Sequence, residues 1–128
     1  MSEWEVWFDV EARRDEGDEV VCALFGRMTF PIRPTVGERI TFFPPRDYGT
    51  TFNLLMAWGS MPSSAAALTV DDISHYRTAV QDGGRFTATL RFEPLKVASI
   101  ADARKVVRFL MDCHGFEVDP YGVNKLHE

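Results

Sequence analysis

The sequence lacks both a long apolar run and an apolar signal segment. No uninterrupted stretch approaches the roughly 18 residues needed to cross a bilayer, and Met1 leads directly into an alternating polar and apolar pattern. These absences predict a cytoplasmic protein without a membrane partner. Cysteine is equally scarce, since Cys22 and Cys113 are the two that the chain contains. We expect two unpaired thiols in a reducing compartment and assign no disulfide.

Basic residues are also fewer than acidic ones. The 128 residues carry 19 acidic and 14 basic side chains, which gives a formal net charge of −5. Eight of the acids fall within residues 1–19, against Arg13 and Arg14. An acidic chain repels the phosphates of nucleic acids, so a nucleic-acid partner is disfavoured.

Groupings typical of metal and cofactor sites are missing. Cys113 directly precedes His114, so the two side chains point about 100° apart on a helix, and the other two histidines stand far away. The Gly83-Gly84 pair lies between two strand patterns, whereas a phosphate cradle leads from a strand into a helix. The sequence therefore predicts no metal site and no cofactor.

A nucleophile with a nearby base is not recognisable either. Asp71 and His75 share one face of a predicted strand, but the extended chain separates them by roughly 13 Å. We assign no catalytic residue, and the balance favours a protein that is not an enzyme.

The composition is that of a globular domain, with 45% hydrophobic residues and ten phenylalanines. We predict a single α+β domain over residues 1–122, with a long connection at residues 44–69 and a C-terminal tail at residues 123–128. A connection of that length in a small domain is uncommon unless it carries a function. Its segment 52–58 is predicted to be a strand.

Alternating apolar residues predict the first strand over residues 4–12, where Trp4, Val6 and Phe8 fall on one side. A near-continuous apolar run predicts a second strand over residues 19–25, covered on both sides and therefore central in the sheet. Strand character continues to Ile32, and we place a β-bulge at Gly26. A third strand is predicted over residues 39–43.

The clearest pattern is a hairpin followed by a helix. An Asp-Gly pair within residues 81–84 separates strand patterns at residues 70–80 and 85–92. Residues 99–114 then follow helical spacing, with Ser99 as the N-cap and Gly115 as the closing residue. The predicted apolar stripe of this helix contains Ile100, Ala103, Val106, Val107, Leu110 and Met111. A short edge strand is predicted at residues 116–118.

Together these patterns predict a bent antiparallel sheet of five or six strands, possibly closed into a small barrel, with the C-terminal helix packed on it. Trp7 is the exception to the pattern, because it stands on the otherwise acidic side of the first strand. An exposed tryptophan often marks a partner contact, although a covering element would make it a core residue.

We therefore expect a small binding or adaptor protein of a bacterial cytosol, acting on a protein partner or on a second copy of itself. The predicted partner-binding residues are Trp7, Arg46 and Tyr48, because aromatic and arginine side chains carry much of the energy of interfaces. One alternative is a small-molecule binder or modest enzyme, with a cleft under residues 44–69 formed by His75, Tyr76 and Arg46. A second alternative is a single-stranded nucleic-acid module using the basic and aromatic residues Arg39, Phe43, Arg46, Tyr48, Arg85 and Arg91.

Overall fold

The computed structural model describes residues 2–15, 17–43 and 66–127. These residues form a curled, mostly antiparallel half-barrel with one C-terminal helix packed against it, which confirms the predicted α+β fold. In chain order the elements are β1 Ser2–Arg14, β2 Gly17–Phe30, β3 Arg39–Phe42, β4 Ala66–Arg77, β5 Phe86–Phe92, β6 Leu95–Val97, α1 Ile100–His114 and β7 Glu117–Val118.

The strand order across the sheet is β3-β4-β5-β1-β2-β7, and β6 pairs with β1 beyond the end of β5. The pairings of β1 with β5 and with β6 are parallel, and the other named pairs are antiparallel. β5 and β1 stand in the middle of this order. β2 also has neighbours on both sides, as predicted for a central strand, although within the described residues its pairing on the far side is short, with β7 and a C-terminal segment.

The inner face of the half-barrel holds the core. Alternate residues of β1 are buried on this face, as the sequence pattern predicts: Trp4, Val6, Phe8, Val10 and Ala12. The ring of Phe8 packs edge-on against Phe92 and Phe116, with centroids 6.0 and 5.4 Å apart. Interlocked aromatic rings of this kind add stabilisation beyond the burial of their apolar surface.

Helix α1 covers the inner face and packs against β1, β2 and β6. The backbone N–H of Asp102 donates to the Ser99 hydroxyl across 3.1 Å, and Gly115 closes the helix with φ 72°, so both predicted caps are confirmed. The predicted stripe is wrong at two positions: Met111 is exposed, whereas Phe109 is buried.

The predicted hairpin is confirmed by the antiparallel pairing of β4 with β5. The connection is longer than the predicted turn, because β4 ends at Arg77 and a 3-10 turn follows at Val80–Asp82. Gly83 and Gly84 then adopt positive φ angles of 102° and 57°, a region that glycine enters without strain.

The predicted bulge at Gly26 is wrong, and the register shift lies opposite Val10 and Glu11 of β1, where Val21 of β2 is the extra residue. Gly26 is instead paired in register with Val6. A Cβ at Gly26 would stand 3.3 Å from Cδ1 of the buried Phe116 ring. This glycine is therefore explained by the close approach of Phe116 to the sheet.

The segment after β7 returns along β2. The N–H of Lys125 donates to the carbonyl of Val21 across 2.7 Å, and its ammonium pairs with Glu19. This contact, mainly through its hydrogen bond, lowers the pKa of Glu19. Leu126 is 8% exposed and belongs to the hydrophobic core. Asn124, Lys125 and Leu126 are thus in contact with the rest of the domain.

Several predictions fall outside the described residues. These are the strand at residues 52–58, most of the connection at residues 44–69, and the candidate contacts Arg46 and Tyr48. At the end of that connection, Ala66 begins β4, which pairs with β3.

Candidate binding groove

The outer face of the sheet carries a cluster of aromatic side chains around Trp7. On one side Trp7 is paired with Phe25 of β2, and on the other with Arg91 of β5. Because paired residues project to the same face, the three side chains lie next to each other. Trp7 and Phe25 keep 40% and 39% of their surface exposed. Helix α1 lies on the opposite face, so it leaves Trp7 in contact with water.

Arg91 holds the Trp7 ring in place. The guanidinium carbon lies 5.5 Å from the ring centroid, within the range of a cation–π interaction. The guanidinium is itself anchored by Asp71, whose Oδ2 is 2.8 Å from Nη2 and 3.0 Å from Nε. Trp7 is therefore oriented before any partner arrives, which reduces the entropy lost on binding.

One end of the surface is closed by a polar network centred on Glu5. The Tyr76 hydroxyl donates to Oε2 of Glu5 across 2.8 Å, and this hydrogen bond is the main cause of a raised pKa for Tyr76. Nη2 of Arg27 lies 3.8 Å from Oε1 of Glu5, and Nη1 lies 3.3 Å from Oε1 of Glu3. These contacts are solvent-exposed, so they orient side chains more than they stabilise the fold.

The other wall is formed by β7 and the turn that follows it. Glu117 pairs with Phe25, and the N–H of Asp119 donates to the carbonyl of Ala23 across 2.9 Å. Oδ1 of Asp119 then accepts from the backbone N–H of Tyr121 at 2.9 Å, which fixes the turn. Tyr121 stands at the rim with 97% of its surface exposed.

Between these walls lies an open groove of about 740 Å³, which we call the outer groove. Its aromatic lining consists of Trp7, Phe25 and Tyr121. In the part of the chain that the structure describes, its charged lining consists of three carboxylates and one guanidinium, from Glu5, Glu117, Asp119 and Arg27. The groove is thus an aromatic floor with a predominantly acidic border.

Of the three partner-binding residues predicted from the sequence, Trp7 lines the outer groove, and Arg46 and Tyr48 lie outside the described residues. Sequence reasoning missed Phe25, Glu117 and Tyr121. A signal for Phe25 was present, because Ala23 and Phe25 make β2 apolar on its outer side as well. The run was interpreted as cover on both faces, whereas on the outer side it forms the floor of the groove.

The residues of the small-molecule alternative do not converge in the described structure. His75 lies on the inner face with its ring 5.8 Å from that of Trp4, whereas the Tyr76 hydroxyl reaches Glu5 on the outer face. Adjacent residues of a strand point in opposite directions, so these two side chains line different surfaces.

Within residues 2–15, 17–43 and 66–127 no three histidine, cysteine or acidic side chains come together in a way that would hold a metal ion. No helix in the same ranges is both long and apolar enough to span a bilayer. Cys22 is buried, and neither it nor Cys113 forms a disulfide.

Comparisons of this chain with models of protein families, with curated proteins and with solved structures found no match.

Proposed function

We propose that this chain is a non-catalytic binding protein that holds a partner protein in the outer groove, with Trp7 as the main contact. The observation that carries the proposal is the exposure of Trp7 and Phe25, at 40% and 39%, side by side on two paired strands. Large aromatic side chains left in water are typical of protein interfaces, where they supply contact area at a low entropy cost.

The open form of the groove favours a protein over a small ligand. Small-molecule sites usually enclose most of the ligand and direct a few buried polar groups at it. Among the described residues no polar or charged side chain is buried. The polar groups of the outer groove stand at its border, where a larger partner can reach them.

A second copy of the chain fits the groove poorly. The whole chain carries a net charge of −5, and the border of the groove is itself acidic. Two such surfaces repel each other when they approach. We therefore expect a different protein as the occupant.

The test compares the wild-type chain with Trp7→Ala and with Phe86→Ala. Phe86 is 74% exposed at the start of β5 and does not line the groove, so it is a matched aromatic control. A protein captured by the wild type from its source cells is purified, and its affinity for each form is measured by calorimetry. We expect one partner per chain, an affinity at least about tenfold lower for Trp7→Ala, and no change for Phe86→Ala.

Three results would overturn the proposal. The first is equal affinity of the wild type and Trp7→Ala for the purified partner. The second is the absence of any captured protein whose binding depends on Trp7. The third is a wild-type dimer in sedimentation that Trp7→Ala abolishes, because a second copy would then occupy the outer groove.

A further inference from the structure

We infer that the occupant of the outer groove is a basic, extended segment of the partner, with a lysine or arginine side chain against Trp7. The inference rests on the proposed function and adds the chemistry of the segment that is bound. It follows from the charges at the border, from a contact that the chain already makes within itself, and from the dimensions of the groove.

The charge of the groove is predominantly negative. Among the described residues Glu5, Glu117 and Asp119 border it, against the single guanidinium of Arg27. The outer side of β1 extends the negative surface past Trp7 in both directions through Glu3, Asp9 and Glu11. Such a surface attracts cationic segments and rejects acidic ones before contact is made.

Two of the border carboxylates remain available for a partner. Glu5 is engaged by the Tyr76 hydroxyl and lies close to Arg27. Glu117 and Asp119, by contrast, form no ion pair within the part of the chain that the structure describes. A cation entering from the β7 side therefore meets two carboxylates without a counter-charge.

The chain itself demonstrates that the Trp7 ring accepts a cation. The guanidinium of Arg91 lies 5.5 Å from the ring centroid and is held there by the carboxylate of Asp71. The exposed part of the ring faces a groove that again offers carboxylates, those of Glu117 and Asp119. A basic side chain of the partner would repeat the same combination of aromatic face and carboxylate.

The shape of the groove fits an extended segment. It runs across three strands, β1, β2 and β7, from Trp7 to Tyr121. With neighbouring strands about 4.8 Å apart, the floor is roughly 10 Å wide, which matches about three residues of extended chain. One basic side chain can reach Trp7 while the next lies near Glu117 and Asp119.

The probe is a capped seven-residue peptide that contains two arginines, separated and flanked by serines. It is titrated into isotope-labelled protein, and the shifts of the protein signals are followed by NMR. Matched peptides carry glutamate or leucine in place of arginine. For the arginine peptide we expect shifts of the Trp7 indole N–H and of the Phe25 and Glu117 amides. These shifts should weaken with added salt, and the glutamate peptide should give none.

A pair of charge-matched variants locates the binding site. Glu117→Gln combined with Asp119→Asn removes two charges at the border, and the amide oxygen of Asn can still accept from Tyr121. Glu38→Gln combined with Asp82→Asn removes two exposed charges that do not line the groove. The first pair of substitutions should lower the affinity for the arginine peptide about three- to tenfold, and the second pair should leave that affinity nearly unchanged.

The outcomes separate the inference from the proposed function. Equal shifts with the arginine and leucine peptides would overturn the claim that the bound segment is basic. So would an unchanged affinity of the Glu117→Gln, Asp119→Asn variant for the arginine peptide. Both results leave open a groove that binds a partner through Trp7. Shifts that map to another surface, or none at all, would also overturn the inference. The proposed function is tested separately, by whether binding of the purified partner depends on Trp7.

Discussion

The hydroxyl of Tyr76 donates a hydrogen bond to the carboxylate of Glu5 across 2.8 Å, and this bond joins β4 to β1 over the intervening β5. The two residues lie 71 positions apart in the chain. Their meeting on the outer face depends on the parallel pairing of β1 with β5, which places Glu5 beside Thr89. The polar end of the outer groove therefore exists only in the folded sheet.

Glu5→Gln should lower the pKa of Tyr76. In the wild type the hydrogen bond to Glu5 raises that pKa, because ionised Tyr76 would lose the bond and face a carboxylate. The protonated tyrosine therefore stabilises the fold below its unfolded pKa, and this contribution is lost as the pH rises through the folded pKa.

The measurement for this pair is the tyrosinate absorbance in alkaline titrations of the wild type and Glu5→Gln. Tyr76→Phe serves as the control that identifies the signal of this residue among three tyrosines. An unchanged midpoint for Tyr76 in Glu5→Gln would show that the hydrogen bond does not form in solution.

Cys22 should react slowly with thiol reagents in the native protein. Burial raises its pKa to about 11, with the negative charge of Asp9 adding to the effect, so very little thiolate exists at pH 8. In Cys113→Ser, where Cys22 is the only thiol, we expect reaction roughly a hundredfold slower in the native chain than in urea. Similar rates in both states would mean that Cys22 is accessible and its strand pairing is wrong.

Gly26→Ala should destabilise the fold by about 1–2 kcal/mol. The new methyl group would stand 3.3 Å from the Phe116 ring, which is 2% exposed and packs edge-on against the rings of Phe8 and Phe42. Gly17→Ala is the control, since a Cβ there meets nothing within 4 Å. Urea unfolding of the two variants decides the point, and equal free energies of unfolding would contradict the close approach.

Leu126→Ala should cost about 2–3 kcal/mol of unfolding free energy, because Leu126 is 8% exposed and belongs to the core. Val123→Ala, at a position that is 49% exposed, should cost less than about 1 kcal/mol. Calorimetric melting of the two variants measures the difference. A Leu126→Ala protein as stable as Val123→Ala would show that residues 123–127 do not pack on β2 in solution.

The sequence was a good guide where structure follows from neighbours in the chain. The alternation in β1, the cap at Ser99 and the closing residue Gly115 are local signals, and each has its predicted structural role. The short β6 was missed, because three residues between Pro94 and Ala98 are too few to show a period. The parallel pairing of β1 with β5 was missed because no local pattern encodes which strands become neighbours.

The same limit applies to the outer groove. Trp7 could be identified because a tryptophan among acids breaks the pattern of its own strand. Phe25 and Glu117 become part of the groove only through the pairing of β2 with β1 and β7. Because Phe25 and Glu117 are far apart in the sequence, no local pattern indicates that the register of the sheet pairs them.

The most direct test of this account compares Trp7→Ala with Trp4→Ala, two tryptophans of one strand that face opposite sides of the sheet. Trp4 is 3% exposed in the core and Trp7 is 40% exposed in the outer groove. In urea unfolding we predict a loss of about 3–5 kcal/mol for Trp4→Ala and about 1 kcal/mol for Trp7→Ala. An equal loss for both variants would make Trp7 a core residue and would contradict the outer groove as a binding surface.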